Sequence, residues 1–279
     1  MPLSAFGLAL GAAALHATWN VLVAGARDSE AATAVATVAG VILLAPVAFA
    51  SGGVSDAALP FAAASALLHV VYLAMLARAY TGGEVSVVYP VSRGTAPVLV
   101  LVFGAIVIGE GTSAVQAAGV AGVSAGVFLV GARGPAAHSR PARRDLLFGL
   151  AIALTIAAYT LVDAEGVDHA RAPAYLFLLL APSAAVYATA LALAGRARQL
   201  RAELRPRSLL IGACIVGAYG SVLGALRLAD AAPVAAVRES SVVIATLLAA
   251  AFLHERVDAR RLGGALLVAA GVATIALGP

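Results

Sequence analysis

The chain has 279 residues, 62% of them hydrophobic and 11% charged, with a mean hydropathy of +0.99. A soluble domain carries roughly 25% charged residues, so a water-soluble fold is excluded: this chain could not cover its own surface. All 18 basic residues are arginine and the formal net charge is +4, a balance that would suggest nucleic acid in a soluble protein but here falls between apolar runs, where orientation in a membrane accounts for it.

A membrane-spanning helix takes about 20 apolar residues. The first such run, 3–24, has no basic residues ahead of it and is long enough to span, unlike a cleaved leader. It contains "LHATWN", in which His16, Trp19 and Asn20 are spaced i, i+3, i+4 and share a face. The run 31–50 is plain. The run 59–80 adds His69 and Tyr72 on one face, and 85–108 contains "VYPVSRGTAPVLV". That stretch places Arg93 deep in a span, Tyr89 one turn above it, and two helix-breakers, Pro90 and Pro97. An arginine at bilayer depth costs about 2.5–3.5 kcal/mol on insertion scales, so it faces protein or a watery cavity. The prolines cannot donate to the carbonyls one turn back, and with Gly94 they predict a kink and hinge whose freed carbonyls face a cavity.

The run 113–131 is marked by Gly119, Gly122 and Gly126, small residues that let helices approach closely. The longest polar stretch, 132–144, follows. Beyond it, 146–164 carries Tyr159 and Thr160, with Asp163 close to the span end. In 173–194, Tyr175 and Tyr187 are expected, with Tyr80, in packing or the interfacial belt. The run 208–228 holds Tyr219, Ser221 and the single Cys214, which has no internal disulfide partner. The run 232–253 contains Arg238 and Glu239, and 262–277 is punctuated by Gly264 and Gly271. No Cys/His cluster has metal-ligand spacing; neither a metal nor another cofactor is expected.

The ten runs divide into five and five at the polar stretch, giving a first repeat 1–131, a loop 132–144 and a second repeat 145–279. "SRGTAPVLVLVFGAIVIGE" aligns with "VRESSVVIATLLAAAFLHE", placing Arg93 opposite Arg238, Glu110 opposite Glu255, Gly119 opposite Gly264 and Gly126 opposite Gly271. Five is odd, so the second repeat enters the membrane upside down. Inverted repeats are a recurrent design of secondary transporters and place a site near the midplane between the halves. The predicted fold is therefore an all-α integral membrane protein, two inverted five-helix repeats around a central midplane cavity. Loops after odd-numbered spans hold fourteen arginines and those after even-numbered spans two, Arg171 and Arg227. Basic loops stay cytoplasmic, so both termini are expected in the periplasm of a bacterial inner membrane.

The polar residues at depth give a candidate substrate site. Arg93 or Arg238 can receive a substrate carboxylate as a bidentate donor, Arg93 being the favoured contact; either can instead be tied to Glu239 and to carbonyls freed by the prolines and lock spans four and nine. Arg238 and Glu239, adjacent and about 100° apart on a helix, cannot easily neutralise each other, so Glu239 is expected to reach Arg93. Trp19, Tyr72 and Tyr89 are read as pocket walls, with His16, Asn20, His69, Tyr159 and Tyr219 beside them. Glu110 and Glu255 end their spans and are read as caps of the following helices. Proton coupling would need a titratable group in the pathway: Glu239, His16 or His69, with Asp163 too near a span end.

The ten-span arrangement, with "GGEVSVVYPVSRGTAPVLV…IGE" in the fourth span and "APVAAVRESSVVIA…LHE" in the ninth, resembles the drug/metabolite transporter superfamily, and within it the EamA-type exporters. The resemblance covers essentially the whole chain and is poor at substrate level. It implies a carrier of small metabolites, with a YddG-like amino-acid exporter the favoured branch; drugs, purines or sugars are the other cargo classes. Many relatives have their termini inside the cell, opposite to the arginine bias. The partners implied are a small-molecule substrate and the lipid bilayer, not nucleic acid, around a monomeric carrier. An intramembrane enzyme acting on a lipid phosphate is the second reading, weakened by the lack of a nucleophile placed beside a base; a channel or scaffold is a third.

Overall fold

The computed structural model describes residues 1–82, 85–131, 143–253 and 258–277. Ten helical segments within these are long and apolar enough to cross a membrane. They are α1 (Leu3–Ala24), α2 (Ser29–Ser51), α3 (Ala58–Gly82), α4 (Val85–Phe103), α5 (Ala114–Gly131), α6 (Arg143–Gly166), α7 (Ala172–Leu191), α9 (Pro206–Leu226), the broken pair α10 (Ala231–Arg238) and α11 (Ser240–Leu253), and α12 (Ala259–Leu277). A short helix, α8 (Ala197–Ala202), follows α7. Large apolar side chains such as Leu3, Ile42, Phe49, Ile106 and Leu266 stand exposed on the outside, the surface expected of helices solvated by lipid.

Local chemistry sets the ends. Asp28 caps α2 by accepting from the Ala31 amide at 3.0 Å. Prolines open α7 and α9, where a missing N–H costs nothing. After α4 the chain widens into a π-helical turn, Gly104–Ile108, ended by Gly109 at φ +78°, a left-handed conformation that glycine supplies without strain. The sixth helix already begins at Arg143, so Arg143 and Arg144 belong to it and not to the inter-repeat loop as expected from the charge run. Residues 132–142, with Gly134 and Pro135, lie outside the described residues, as does Glu255.

The helices pair reciprocally. α1 packs on α9 as α6 packs on α3; α4 packs on α6 as α10 and α11 pack on α1; α5 and α12 pack on each other. The α5–α12 crossing shows the same reciprocity atom by atom. A Cβ added at Gly126 would meet the Gly264 carbonyl at 2.7 Å and one at Gly264 the Gly126 carbonyl at 2.8 Å; Gly119 and Gly271 meet in the same way at 2.9 and 2.7 Å. Each contact is exchanged with the other by the register that sets Arg93 opposite Arg238. Backbones this close admit no side chain, and they brace the two halves.

Candidate functional site

A cavity of about 390 Å³ opens between α1, α2, α3, α4, α6, α7, α9 and α10. From α1 it takes His16, Trp19 and Asn20; from α3, His69 and Tyr72; from α4, Tyr89, Ser92 and Arg93. Tyr159 of α6, Tyr219 of α9 and Arg238 of α10 complete the inner end. The walls reach out along α2 through Thr37, Thr33, Glu30 and Ser29 to the α1–α2 turn, where Ala24 and Ser29 are exposed. The lining thus follows the C-terminal half of α1 and the N-terminal parts of α2 and α4. The mouth lies on the face of the loops after α1 and α7, which carry Arg27, Arg198, Arg201 and Arg205.

The opposite face is shut. Ser55 donates from both its amide, at 3.3 Å, and its hydroxyl, at 2.9 Å, to the His169 carbonyl. Phe61 stacks on the His169 ring, and Val54 pairs with Ala170 in an isolated antiparallel bridge. Glu110 Oε1 accepts from the Ala231 amide at 2.9 Å. It therefore caps α10, across the molecule, and not the following helix as expected; burial pushes its carboxyl above the usual range, against the pull of that amide.

Two arginines face the inner end, and they are not equivalent. Arg93 Nη1 donates to Glu239 Oε1 at 3.1 Å, both side chains buried. Arg93 Nη2 donates to His16 Nε2. Because a guanidinium can only donate, that imidazole accepts through Nε2 and carries its proton on Nδ1. Asn20 in turn donates to the His16 carbonyl at 2.8 Å, and His16 stands edge-on to Trp19. Arg93 is thus fixed to both α10–α11 and α1. Arg238 lies only 3.9 Å from the same Glu239 oxygen, and its buried Nε has no hydrogen-bond partner. The sequence expectation that adjacent Arg238 and Glu239 could not face each other assumed a continuous helix. The ninth span breaks between α10 and α11 at Glu239, whose amide and carbonyl bond to Ala236 and Val242 three residues away, each at 3.0 Å. This tighter turn swings the carboxylate between both guanidinium groups.

The aromatic wall is one cluster. His69 and Tyr159 lie 4.4 Å apart between ring centroids, His69 and Tyr219 5.3 Å apart edge-on, and Tyr72 and Tyr159 6.2 Å apart. His69 Nδ1 donates to the Ser65 carbonyl at 2.8 Å, one turn back on its own helix. Arg93 lies over the Tyr89 ring at 5.8 Å.

All the sequence-derived candidates line the cavity except Glu239 and the hinge residues. Glu239 is buried behind the arginines, 1% exposed. Gly94 faces away, toward α5, where a Cβ would lie 2.8 Å from the Phe128 ring. Pro90 packs on Gly131 of α5, and α4 runs as one helix through both prolines. Tyr187, expected in packing or the belt, lines the cavity instead, because α7 turns that face inward; the Tyr80 side chain lies outside the described residues. Sequence reading missed the α2 stripe Glu30, Thr33 and Thr37. The i, i+3, i+7 spacing was the available signal, hidden because α2 starts at Ser29 and not at residue 31.

At the mouth, Arg196 after α7 pairs with Asp28 through Nη2, at 2.6 and 2.7 Å, and with Glu30 through Nη1. Burial works against the Asp28 charge, yet the Ala31 amide and Arg196 hold its carboxyl below the usual range.

Fold and cavity together define a multi-pass membrane protein built around a solute-sized chamber open to one face. Residues 144–277 match the EamA-like transporter family. That match, over just under half of the chain, is to a family of membrane transporters and is in keeping with the drug/metabolite transporter superfamily. No curated protein matches the chain. A solved structure described only as the crystal structure of a protein is similar over 99% of this chain and 98% of its own, at 18% identity and a TM-score of 0.76; it supports the fold.

Proposed function

We propose that this transporter exports small zwitterionic metabolites, amino acids first among them, by alternating access of its two repeats. The observation that carries this reading is the unequal pair of arginines at the inner end of the cavity. Arg93 is committed to Glu239 and His16, whereas Arg238 lines the cavity with a guanidinium that Glu239 approaches only at 3.9 Å. A carboxylate is the ligand such a group takes bidentately. Beside it, the rings of Tyr72, Tyr159 and Tyr219 offer an apolar wall, the composition that suits a small organic solute. The volume, about 390 Å³, falls at the small end of ligand cavities, roughly 300–1,000 Å³. It suits an amino acid better than a nucleotide-sugar.

The arginine-rich face is cytoplasmic by the distribution of basic loops. The structure is then the loading state of an exporter, and the membrane is the inner membrane of a bacterium.

Counterflow of labelled amino acids into liposomes containing the purified protein tests the reading. Saturable exchange is expected in the wild type and a loss of at least tenfold in Arg238→Gln. A wild type silent across amino acids, or exchange that survives Arg238→Gln unchanged, overturns it.

A further inference from the structure

Behind the closed end of the cavity lies a second group of polar side chains. Asp163 of α6 is wholly buried. Tyr175 of α7 donates to its Oδ1 at 2.9 Å, and Tyr219 of α9 donates to its Oδ2. From α3, Ser65 and His69 also face it. His69 holds its Nδ1 proton on the Ser65 carbonyl. From α10, Arg238 faces Tyr219 and Tyr159, and from α4, Arg93 faces Tyr159. The ion pairs of Arg93, Arg196 and Arg238 go to Glu239, Asp28 and Glu30 and not to Asp163.

Position gives this carboxyl a use. Tyr219 is shared: its ring lines the cavity while its hydroxyl holds Asp163. On the other side, Tyr175 and the segment Val167–Ala170, joined to Val54 and Ser55, seal the far face. Asp163 is therefore separated from the open cavity by one hydroxyl and from the closed face by one packed layer. Nearness to the span end, which counted against it in sequence, is what places it behind the closed gate. A buried carboxylate without a cation is costly, so it takes a proton or keeps its charge only with several donors. The donors here are the Tyr175 and Tyr219 hydroxyls, which can hold the carboxylate and pass on its proton.

We propose that Asp163 is the proton-binding site of this carrier, exchanging one proton with the cavity through the Tyr219 hydroxyl. The proposal rests on the transport reading above and supplies its driving ion. In the cavity-open state, the Tyr219 hydroxyl passes its proton to cavity water and takes the one from Asp163. A carboxylate remains, held by the Tyr175 and Tyr219 donors. The ammonium of an arriving zwitterion favours that charge, so substrate and proton displace each other. Opening of the far face then exposes Asp163 to the other side for reloading. The coupling is antiport.

Difference infrared spectroscopy of the purified protein, titrated with pH alone, tests the site without any substrate. Among the protonated-carboxyl bands that bleach as the pH rises, one component is expected in the wild type and missing in Asp163→Asn. In Tyr219→Phe, which has lost one donor to the carboxylate, the band persists to higher pH; this variant carries the test should Asp163→Asn fail to fold. No titrating component lost in Asp163→Asn, or that component unmoved in Tyr219→Phe, overturns the proposal. Silent counterflow alongside a band that behaves as expected overturns only the substrate reading.

Discussion

Arg93 and Glu239 form a pair taken out of water together, and their value lies in the pairing. Replacing Arg93 leaves Glu239 only the looser Arg238 at 3.9 Å, and breaking a buried pair costs about 3–5 kcal/mol; replacing both partners by apolar residues of similar volume costs less. Arg93→Ala should therefore lower the thermal unfolding midpoint in detergent sharply, and Arg93→Met combined with Glu239→Met should recover most of the loss. A single variant as stable as the wild type would show that the pair locks nothing. Arg238 stands in contrast, since its removal relieves an unpaired Nε and is expected to change transport more than stability. The sequence put both arginines at depth by their place in apolar runs. It could not say which one was free, because that depends on a helix break at Glu239 and on the reach of His16 from another span.

Elements that move solute and elements that hold the frame separate cleanly. The α5–α12 crossing relies on four glycines whose absent side chains let carbonyls approach. Gly126→Leu would push a side chain into the Gly264 carbonyl and Val268. Overpacking of that kind costs about 1–3 kcal/mol or more, and the expected result is a marked loss of folded protein in fluorescence-detected size-exclusion profiles. Gly122→Ala, where a Cβ would meet only Gly271 atoms at 3.5 Å and beyond, should be tolerated. Equal damage from both would remove the distinction. The Gly/Ala rows of spans five and ten were visible in sequence as small residues at helical spacing. Their partner was not, since periodicity names a face and never what that face meets. The same holds for α4, where Pro90 fills the space over Gly131 of α5, a partner that its spacing could not name.

At the scale of the whole molecule, one face is open and the other sealed, and the orientation proposed above turns the open face to the cytoplasm. In a Cys214→Ser background, a cysteine at Ser55, on the sealed face, should react with a membrane-impermeant maleimide in intact cells. One at Arg27, on the mouth face, should react only after permeabilisation. The reverse pattern would turn the protein over and make the open state a receiving state from outside. The paired packing of helices gives both faces related architecture, but their closures differ. The mouth is bridged by Arg196 with Asp28 and Glu30, the far face by Ser55, His169 and Glu110.

Composition and hydrophobic run length alone determined that this chain crosses a membrane ten times, because lipid leaves a backbone no choice but helix and sets its length. Internal similarity pointed to two halves, and the cost of polar groups in lipid marked which residues must face inward, so that His16, Trp19, Tyr72, Tyr89 and Arg93 could be named from the sequence. Only the tertiary structure decided who meets whom. Asp163 lay near a span end and looked peripheral; packing of α7 and α9 buries it between two tyrosines. Arg238 looked like one half of a symmetric pair; the break at Glu239 leaves it with the weaker claim on a shared carboxylate. Spacing along one helix fixes direction from its own axis, whereas burial and pairing are set by neighbours that the sequence places far away.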